Sequence, residues 1–368
     1  MVRSSVCLSQ IAVCVLALAS APVGQQPPAA QPERAITAEE RLAVIQGALE
    51  RLNTAYVYPD VAKKMEEDIR ARLARKEYER ITSASALAET LTADLQRVSR
   101  DKHLRVVYRA DGFPDERDQP SPEGRARLVE EERRRNFGFE RVERLPGNVG
   151  YLDLRSFSGL PEAGETGVAT MNFLANADAL IIDLRQNGGG SPAMIGLISG
   201  YLFDDVVHLN DFYWRESDET RQFWTSPHVQ GRRFGESKPV YVLTSNRTFS
   251  AAEEFTYNLK NLKRATIVGE TTGGGAHPGG PRRINEHFAV WVPAGRAINP
   301  ITKTDWEGTG IEPHVKVEAR LALKTAHLDA LKKLQADTTD ARRKELLGRA
   351  IEQVQKELDE LKGTKATV

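Results

Sequence analysis

An α/β fold with a helical N-terminal unit is the architecture that this sequence predicts. Apolar residues recur at helical spacing through residues 37–98, beginning at a capping-box signature at residues 37–40 (TAEE). From Asn148 onward, short apolar segments such as 179–184 (ALIIDL) and 239–244 (PVYVLT) alternate with helical ones. That alternation indicates a layered α/β core, because each strand is followed by a helix that can cover the sheet.

The composition allows two domains and argues against binding to nucleic acid or to an anionic membrane. The chain has 368 residues, of which 40% are hydrophobic, enough to bury a sizeable core. Its 51 basic and 51 acidic side chains give a net charge of zero. No overall field therefore draws the protein to nucleic acid or to an anionic membrane surface, and we expect no nucleic-acid partner.

The first residues are typical of an export signal, which we place at residues 1–21. Arg3 supplies a positive n-region, and residues 11–19 (IAVCVLALA) form an apolar segment too short to span a bilayer well. Cleavage is expected after Ala19, with Ala21 as the alternative. The protein should then be periplasmic or extracellular. An uncleaved membrane anchor is the competing interpretation.

The residues also predict that no cofactor or metal is needed. Cys7 and Cys14 both lie in the export signal, so the processed chain would have no thiol nucleophile and no cysteine zinc site. No His, Asp and Glu trio shows metal-ligand spacing. The glycine run at residues 188–190 lacks the sequence context of phosphate-binding and dinucleotide-binding loops.

The remaining chain divides by composition. In order, we predict a disordered spacer (22–36), a helical N-terminal domain (37–112), a polar connector (113–147), a core domain (148–318) and a helical C-terminal tail (319–368). The tail should form two helices, which could cap the core or pair with a second copy of the chain as a homo-oligomer.

A serine at the start of a core helix is the first candidate for chemistry. In residues 248–254 (TFSAAEE), Ser250 falls where an apolar strand turns into a helix. That position exposes a hydroxyl and aims helix N–H groups at whatever binds there, so the Ala251 N–H could stabilise an oxyanion. Ser-x-x-Glu is also an ordinary capping box, and the segment alone leaves both interpretations open.

A glycine-rich loop supplies the second candidate. Residues 183–190 (DLRQNGGG) end a buried strand, and glycines let the backbone approach a ligand closely. The Gly189 N–H could form the other half of an oxyanion hole, with Gly190 lining the path of a substrate. The alternative is a tight turn before a helix.

Four segments in this order resemble the C-terminal-processing, or tail-specific, serine peptidase family. That family includes the core of the tricorn protease and the repeats of interphotoreceptor retinoid-binding protein. The matching segments are DLRxNxGG at 183–190, TSxxTxSAAE at 244–253, VGETTGG at 268–274 and EGxGIxP at 307–313. The resemblance implies a crotonase-like spiral of ββα units and a polypeptide substrate.

The sequence departs from the tail-specific members at the general base. Those members use a Ser–Lys dyad, and the lysine would fall at Gly275. The tricorn-like branch instead pairs serine with an earlier histidine and a later glutamate, which here match His103 and Glu307. His277 is the competing base; we expect it, with Gly274, in a substrate loop. Residues 111–147 are too few for the PDZ module that many members carry.

The function that these observations predict is an exported serine peptidase. Ser250 would attack the scissile carbonyl, His103 would take and return the proton, and Glu307 would orient the base. The alternative is a non-catalytic carrier of apolar ligands such as retinoids or fatty acids, because relatives with the same fold act in that way.

Overall fold

The computed structural model describes residues 33–115 and 121–364. The predicted export signal and most of the predicted spacer lie outside the described residues. The end of the spacer differs from the prediction: Ala35 forms a β-bridge with Ser83, and the Ile36 side chain is buried against the N-terminal helices. The N-terminal unit therefore includes residues before 37, because Ile36 contributes to its core.

Three helices form the N-terminal unit, as the periodicity predicts. They are α1 (Ala38–Ala55), α2 (Pro59–Ala74) and α3 (Ala84–Ser99). The start of α1 is set by Thr37, whose side-chain oxygen accepts the Glu40 N–H at 3.1 Å. Such a cap satisfies an N–H that has no partner within the helix.

A small antiparallel sheet completes this unit with strands from the far end of the chain. Its order is β1 (Arg105–Tyr108), β10 (Phe288–Pro293) and β9 (Gly279–Arg283). Val106 and Val290 are buried on the face that packs against the three helices. The N-terminal unit and the later part of the chain are therefore built together.

The core contains a six-stranded mixed sheet. In spatial order, its strands are β12 (Val315–Lys316), β8 (Thr266–Gly269), β7 (Val240–Thr244), β4 (Ala179–Asp183), β3 (Val149–Leu154) and β2 (Phe139–Leu145). All neighbouring pairs are parallel except β2 with β3. Parallel pairing requires crossover connections, which places helices over the sheet.

Helices cover both faces of this sheet. On one face lie α5 (Leu160–Leu174), α6 (Pro192–Leu202) and α7 (Ala251–Asn261); on the other lies α8 (Ala319–Asp337), which packs against α9 (Ala341–Gly363). Along β4, Ile181 packs in the α8 cluster and Ile182 in the cluster of α5, α6 and α7. Burial of both faces explains why this strand reads as a continuous apolar run. The C-terminal tail covers the core.

The polar connector predicted at residues 113–147 contains ordered elements. It includes α4 (Pro122–Arg134), and its last part is β2, the antiparallel edge of the central sheet. The central sheet thus begins at Phe139, ahead of the boundary predicted for the core domain at residue 148. The prediction missed β2 because most of its side chains are polar and exposed, as an edge strand tolerates.

A third sheet lies beside α7. It has the order β11 (Gly295–Ile298), β5 (His208–Trp214) and β6 (Glu219–Trp224). Buried Phe212 and Ala297 from this sheet pack with residues of the loops that follow β8 and β11. The predicted α/β class is confirmed, with helices on both sides of a mainly parallel sheet.

Candidate active site

Ser250 lies at the turn between β7 and α7, with an unusual backbone conformation. Its φ of 55° and ψ of −123° fall where non-glycine residues are rare. The N–H of Ala251, the first residue of α7, has no hydrogen-bond acceptor among the described residues. A strained strand-to-helix turn with a free N–H beside the hydroxyl is typical of serine nucleophiles.

The glycine loop touches this turn directly. A Cβ built on Gly189 would lie 2.9 Å from the Ser250 Cβ and 3.0 Å from the Ala251 nitrogen, and its φ is +116°. A side chain is therefore excluded at this position. The Gly189 N–H, predicted as an oxyanion donor, points to Asn187 and donates to its Oδ1 at 2.8 Å.

Gly190 allows a second close approach, in which the loop contacts the backbone of Phe157. Its φ is +138°, and a Cβ there would lie 2.2 Å from the carbonyl oxygen of Phe157. Phe157 in turn donates its N–H to the Gly189 carbonyl at 2.9 Å. The run of glycines thus lets the loop pass between the nucleophile turn and the segment after β3.

A buried carboxylate joins the nucleophile turn to the segment at residues 272–275. Glu253 is fully buried; its Oε2 accepts the N–H of Ser250 at 2.9 Å and the N–H of Gly275 at 2.8 Å. Its Oε1 accepts the Gly274 N–H at 2.6 Å and the Thr272 hydroxyl. Burial raises the pKa of Glu253 to about 7, although these donors lower it.

His103 fills the space beside position 275. Its ring packs on Phe249, with the ring centroids 4.6 Å apart. A Cβ built on Gly275 would lie 2.3 Å from the Phe249 Cζ and 2.8 Å from the His103 Cε1. The imidazole therefore stands next to the residue that precedes Ser250, at the position where the resemblance would place a lysine.

The environment of His103 keeps its imidazole neutral. Burial lowers the pKa of His103 to about 4, with Asp101 opposing and Arg105 adding to the shift. Its Nδ1 is buried without a hydrogen-bond partner. Within the described residues, no hydrogen bond joins His103 to Ser250 or to Glu307. The backbone N–H of His103 donates to Asp101 Oδ1 at 3.0 Å.

His277 lies among carboxylates in the same region. Its Nδ1 is 2.7 Å from Asp101 Oδ2 and 3.5 Å from Glu307 Oε2. Burial lowers the pKa of His277, but the hydrogen bond and charge of Asp101 outweigh this effect, so the net direction is upward. Glu307, which was expected to orient His103, thus contacts His277 instead.

Glu307 is held by backbone contacts as well. Its Oε2 accepts the Ala276 N–H, while Oε1 is buried without a partner. Burial and the nearby Asp101 charge raise the pKa of Glu307 to about 7. The turn that carries it packs on Gly274, whose Cβ, if present, would lie 2.9 Å from the Gly310 nitrogen.

Folding also brings together a trio that could ligate a metal. Ligand atoms of Asp101, His277 and Glu307 lie within 4.8 Å of one another, although no metal spacing is visible in the sequence. Hydrogen bonds already engage both oxygens of Asp101, from the His103 N–H, the Tyr56 hydroxyl and His277. Asp101 and His277 are thus already hydrogen-bonded to each other, and Glu307 Oε2 lies 3.5 Å from His277 Nδ1.

A serine at a strained strand-to-helix turn, beside a glycine loop and a buried neutral imidazole, is typical of the serine hydrolase class. Two parts of the chain match profiles of peptidase family S41. The profile of that family matches residues 148–317, and the profile of the N-terminal domain of S41 peptidases in eukaryotic interphotoreceptor retinoid-binding protein matches residues 36–135. The predicted resemblance is confirmed.

Curated relatives agree with this family. The chain is 28% identical over 183 residues to the chloroplastic carboxyl-terminal-processing peptidase 1 of Arabidopsis thaliana, covering 48% of this chain and 35% of that protein. It is 26% identical over 172 residues to the tail-specific protease of Haemophilus influenzae, covering 42% and 22%. The aligned part is thus about a third or less of each relative's length.

A solved structure shares the fold. A candidate peptidase of Parabacteroides merdae superposes with a TM-score of 0.52 at 18% identity, covering 76% of this chain and 90% of that one. At this identity the likeness shows the fold and nothing more specific.

The buried carboxylate yields the first prediction. Glu253→Gln should destabilise the protein by about 2–4 kcal/mol, because an amide NH₂ would face N–H donors that now have an acceptor. Urea unfolding at pH 7 measures the change. Glu254→Gln is the matched control: it is also buried, burial raises its pKa to about 8, and its Oε1 has no partner. Equal stability losses in both variants would contradict the bridging role.

Proposed function

We propose that this protein is an exported serine peptidase in which Ser250 is the nucleophile and His103 the general base. The packing of the His103 ring against Phe249, at the place where a side chain at position 275 would project, carries the proposal. A neutral imidazole beside the nucleophile turn can accept the hydroxyl proton, which a protonated one cannot.

The proposed reaction is acyl transfer through the serine. The Ser250 oxygen forms a bond to the scissile carbonyl carbon as its proton passes to His103. His103 then protonates the leaving amine as the C–N bond breaks, and water hydrolyses the acyl-enzyme by the same steps. Catalytic hydrogen bonds are often long in free enzymes, and we place the contact between Ser250 and His103 in the substrate complex.

The Ala251 N–H supports the proposed oxyanion site, because it is adjacent to Ser250 and no described residue accepts it. Gly189 is the proposed second donor and would exchange its bond to Asn187 for one to the oxyanion. Each donor in such a site typically contributes about 3–4 kcal/mol to the transition state.

Glu307 is proposed to position the base indirectly. Glu307 Oε2 lies 3.5 Å from His277 Nδ1, which is hydrogen-bonded to Asp101. Asp101 also accepts the backbone N–H of His103. The segment with Gly274 and His277 is proposed to border the bound polypeptide. In this arrangement Asp101 fixes the backbone of the loop that carries His103, and the His103 ring makes no hydrogen bond to a described residue.

The nucleophile assignment predicts a loss of activity without a loss of fold. Ser250→Ala should lower kcat/KM for peptide cleavage by roughly 10⁴-fold or more, because it removes the attacking oxygen. A fluorophosphonate probe should label the wild type and Ser237→Ala, an exposed control, but not this variant. An unlabelled wild type that copurifies with lipid would instead indicate an apolar-ligand carrier.

The pH dependence distinguishes the two histidines. The base must be neutral, so kcat/KM should fall as the pH drops through its pKa. With His103 as base, the acidic limb should lie near 4, since burial lowers the pKa of His103 to about that value. His277 as base would place the limb above 6.5, because its pKa is raised. A pH–rate profile with a midpoint above 6.5 would reject His103.

Export is proposed from the N-terminal sequence. Residues 1–21 have the charge and apolar length of a signal, and in the two described ranges no helix is long and apolar enough to cross a membrane. Expression in a bacterium with a periplasm should give a processed protein outside the cytoplasm. N-terminal sequencing should start at Ser20, and an unprocessed cytoplasmic product would contradict export.

A further inference from the structure

The sheet formed by β1, β10 and β9 has a face that does not pack on the N-terminal helices. Leu104 and Val106 point into the helical core, so side-chain alternation sends Arg105 to the opposite face. Arg105 is directly opposite Trp291 on β10 in the register of the two strands. Its guanidinium carbon lies 4.8 Å from the centroid of the Trp291 ring.

The Arg105 guanidinium has no anionic partner. Among residues 33–115 and 121–364, no side chain or carbonyl forms an ion pair or hydrogen bond with it, although Arg105 is half-buried. Burial lowers the pKa of Arg105, and no carboxylate opposes this shift. A partly desolvated cation without a counter-charge is costly, so its retention favours an anion supplied from outside the chain.

The neighbouring indole lacks an acceptor too. The Trp291 Nε1 is buried, and no described residue accepts its hydrogen. The Trp291 ring supports the guanidinium by a cation–π contact. A guanidinium can bind a planar carboxylate through two parallel N–H groups.

This face borders the reaction site. Arg105 follows His103 by two residues, and the His103 ring packs on Phe249, the neighbour of Ser250. The positive charge of Arg105 lowers the pKa of His103. A ligand held by Arg105 would therefore lie near the proposed base, because the two residues are two positions apart.

We propose that Arg105, supported by Trp291, binds a carboxylate of the polypeptide substrate next to the scissile bond. The inference rests on the proposed peptidase function and names a feature of its substrates. Two sources share this chemistry: the α-carboxylate at the end of the chain, and an Asp or Glu side chain within it. In both cases two guanidinium N–H groups donate to the two carboxylate oxygens.

Binding of labelled peptides to the Ser250→Ala protein tests the inference without requiring cleavage. The probes are fluorescent decapeptides with randomised central positions, made as C-terminal acids and amides, each with and without one glutamate. Fluorescence anisotropy should show about 10- to 100-fold tighter binding of the carboxylate-bearing peptides. Preference for acid over amide identifies the chain terminus, and preference for the glutamate series identifies a side chain.

Variants of the arginine decide whether this residue is responsible. Adding Arg105→Gln should abolish the preference and leave binding of the uncharged amide unchanged, while Arg105→Lys, which keeps the charge, should retain part of it. Arg109→Gln is the matched control, because Arg109 follows the same strand but pairs with Asp111. Thermal unfolding checks that each variant is folded. If Arg105→Gln does not fold, Arg105→Lys still decides the test.

Two results would overturn the inference. One is equal binding of carboxylate and uncharged peptides, or no binding of any. The other is a preference that survives in both Arg105 variants. Cleavage assays with Arg105 variants that retain Ser250 separate this inference from the proposed function: cleavage without carboxylate preference leaves the peptidase standing. A carboxylate preference in binding without any cleavage by the wild type would reject the peptidase alone.

Discussion

One buried carboxylate holds the candidate site together. Glu253 accepts hydrogen bonds from the nucleophile turn and from the segment at residues 272–275. The first of these segments follows β7 and the second follows β8. The backbone conformation of Ser250 costs roughly 1–3 kcal/mol, and bonds of this kind offset it. The position of the hydroxyl relative to both neighbouring loops follows from these contacts.

The two histidines reach the site through the pairing of distant strands. His103 lies just before β1 and His277 just before β9, and both strands pair with β10. The hydrogen bonds of Asp101 then connect the two loops. The helical unit therefore supports the site, since its helices pack on β1 and the Tyr56 hydroxyl donates to Asp101.

Local patterns predicted the helices, the main strands and the neighbourhood of Ser250, because periodicity, caps and glycine requirements act over a few residues. They failed where the partner is distant. The polar sequence of β2 resembles a connector, and only its pairing with β3 shows that it is a strand. Glu253 resembles a helix cap, and its bonds to Gly274 and Gly275 depend on a loop that arrives later in the chain. Glu307 was expected beside His103, yet it contacts His277.

By itself, the sequence determined the α/β class, the serine at the start of α7 and the glycines that let loops touch it, since these depend on residue type and short-range spacing. The tertiary structure alone decided which ionisable groups meet. Burial and neighbouring charge set the opposite pKa directions of His103 and His277. The same folding leaves Arg105 without a carboxylate partner among residues 33–115 and 121–364. Such effects depend on distances through space, which spacing along the chain does not encode.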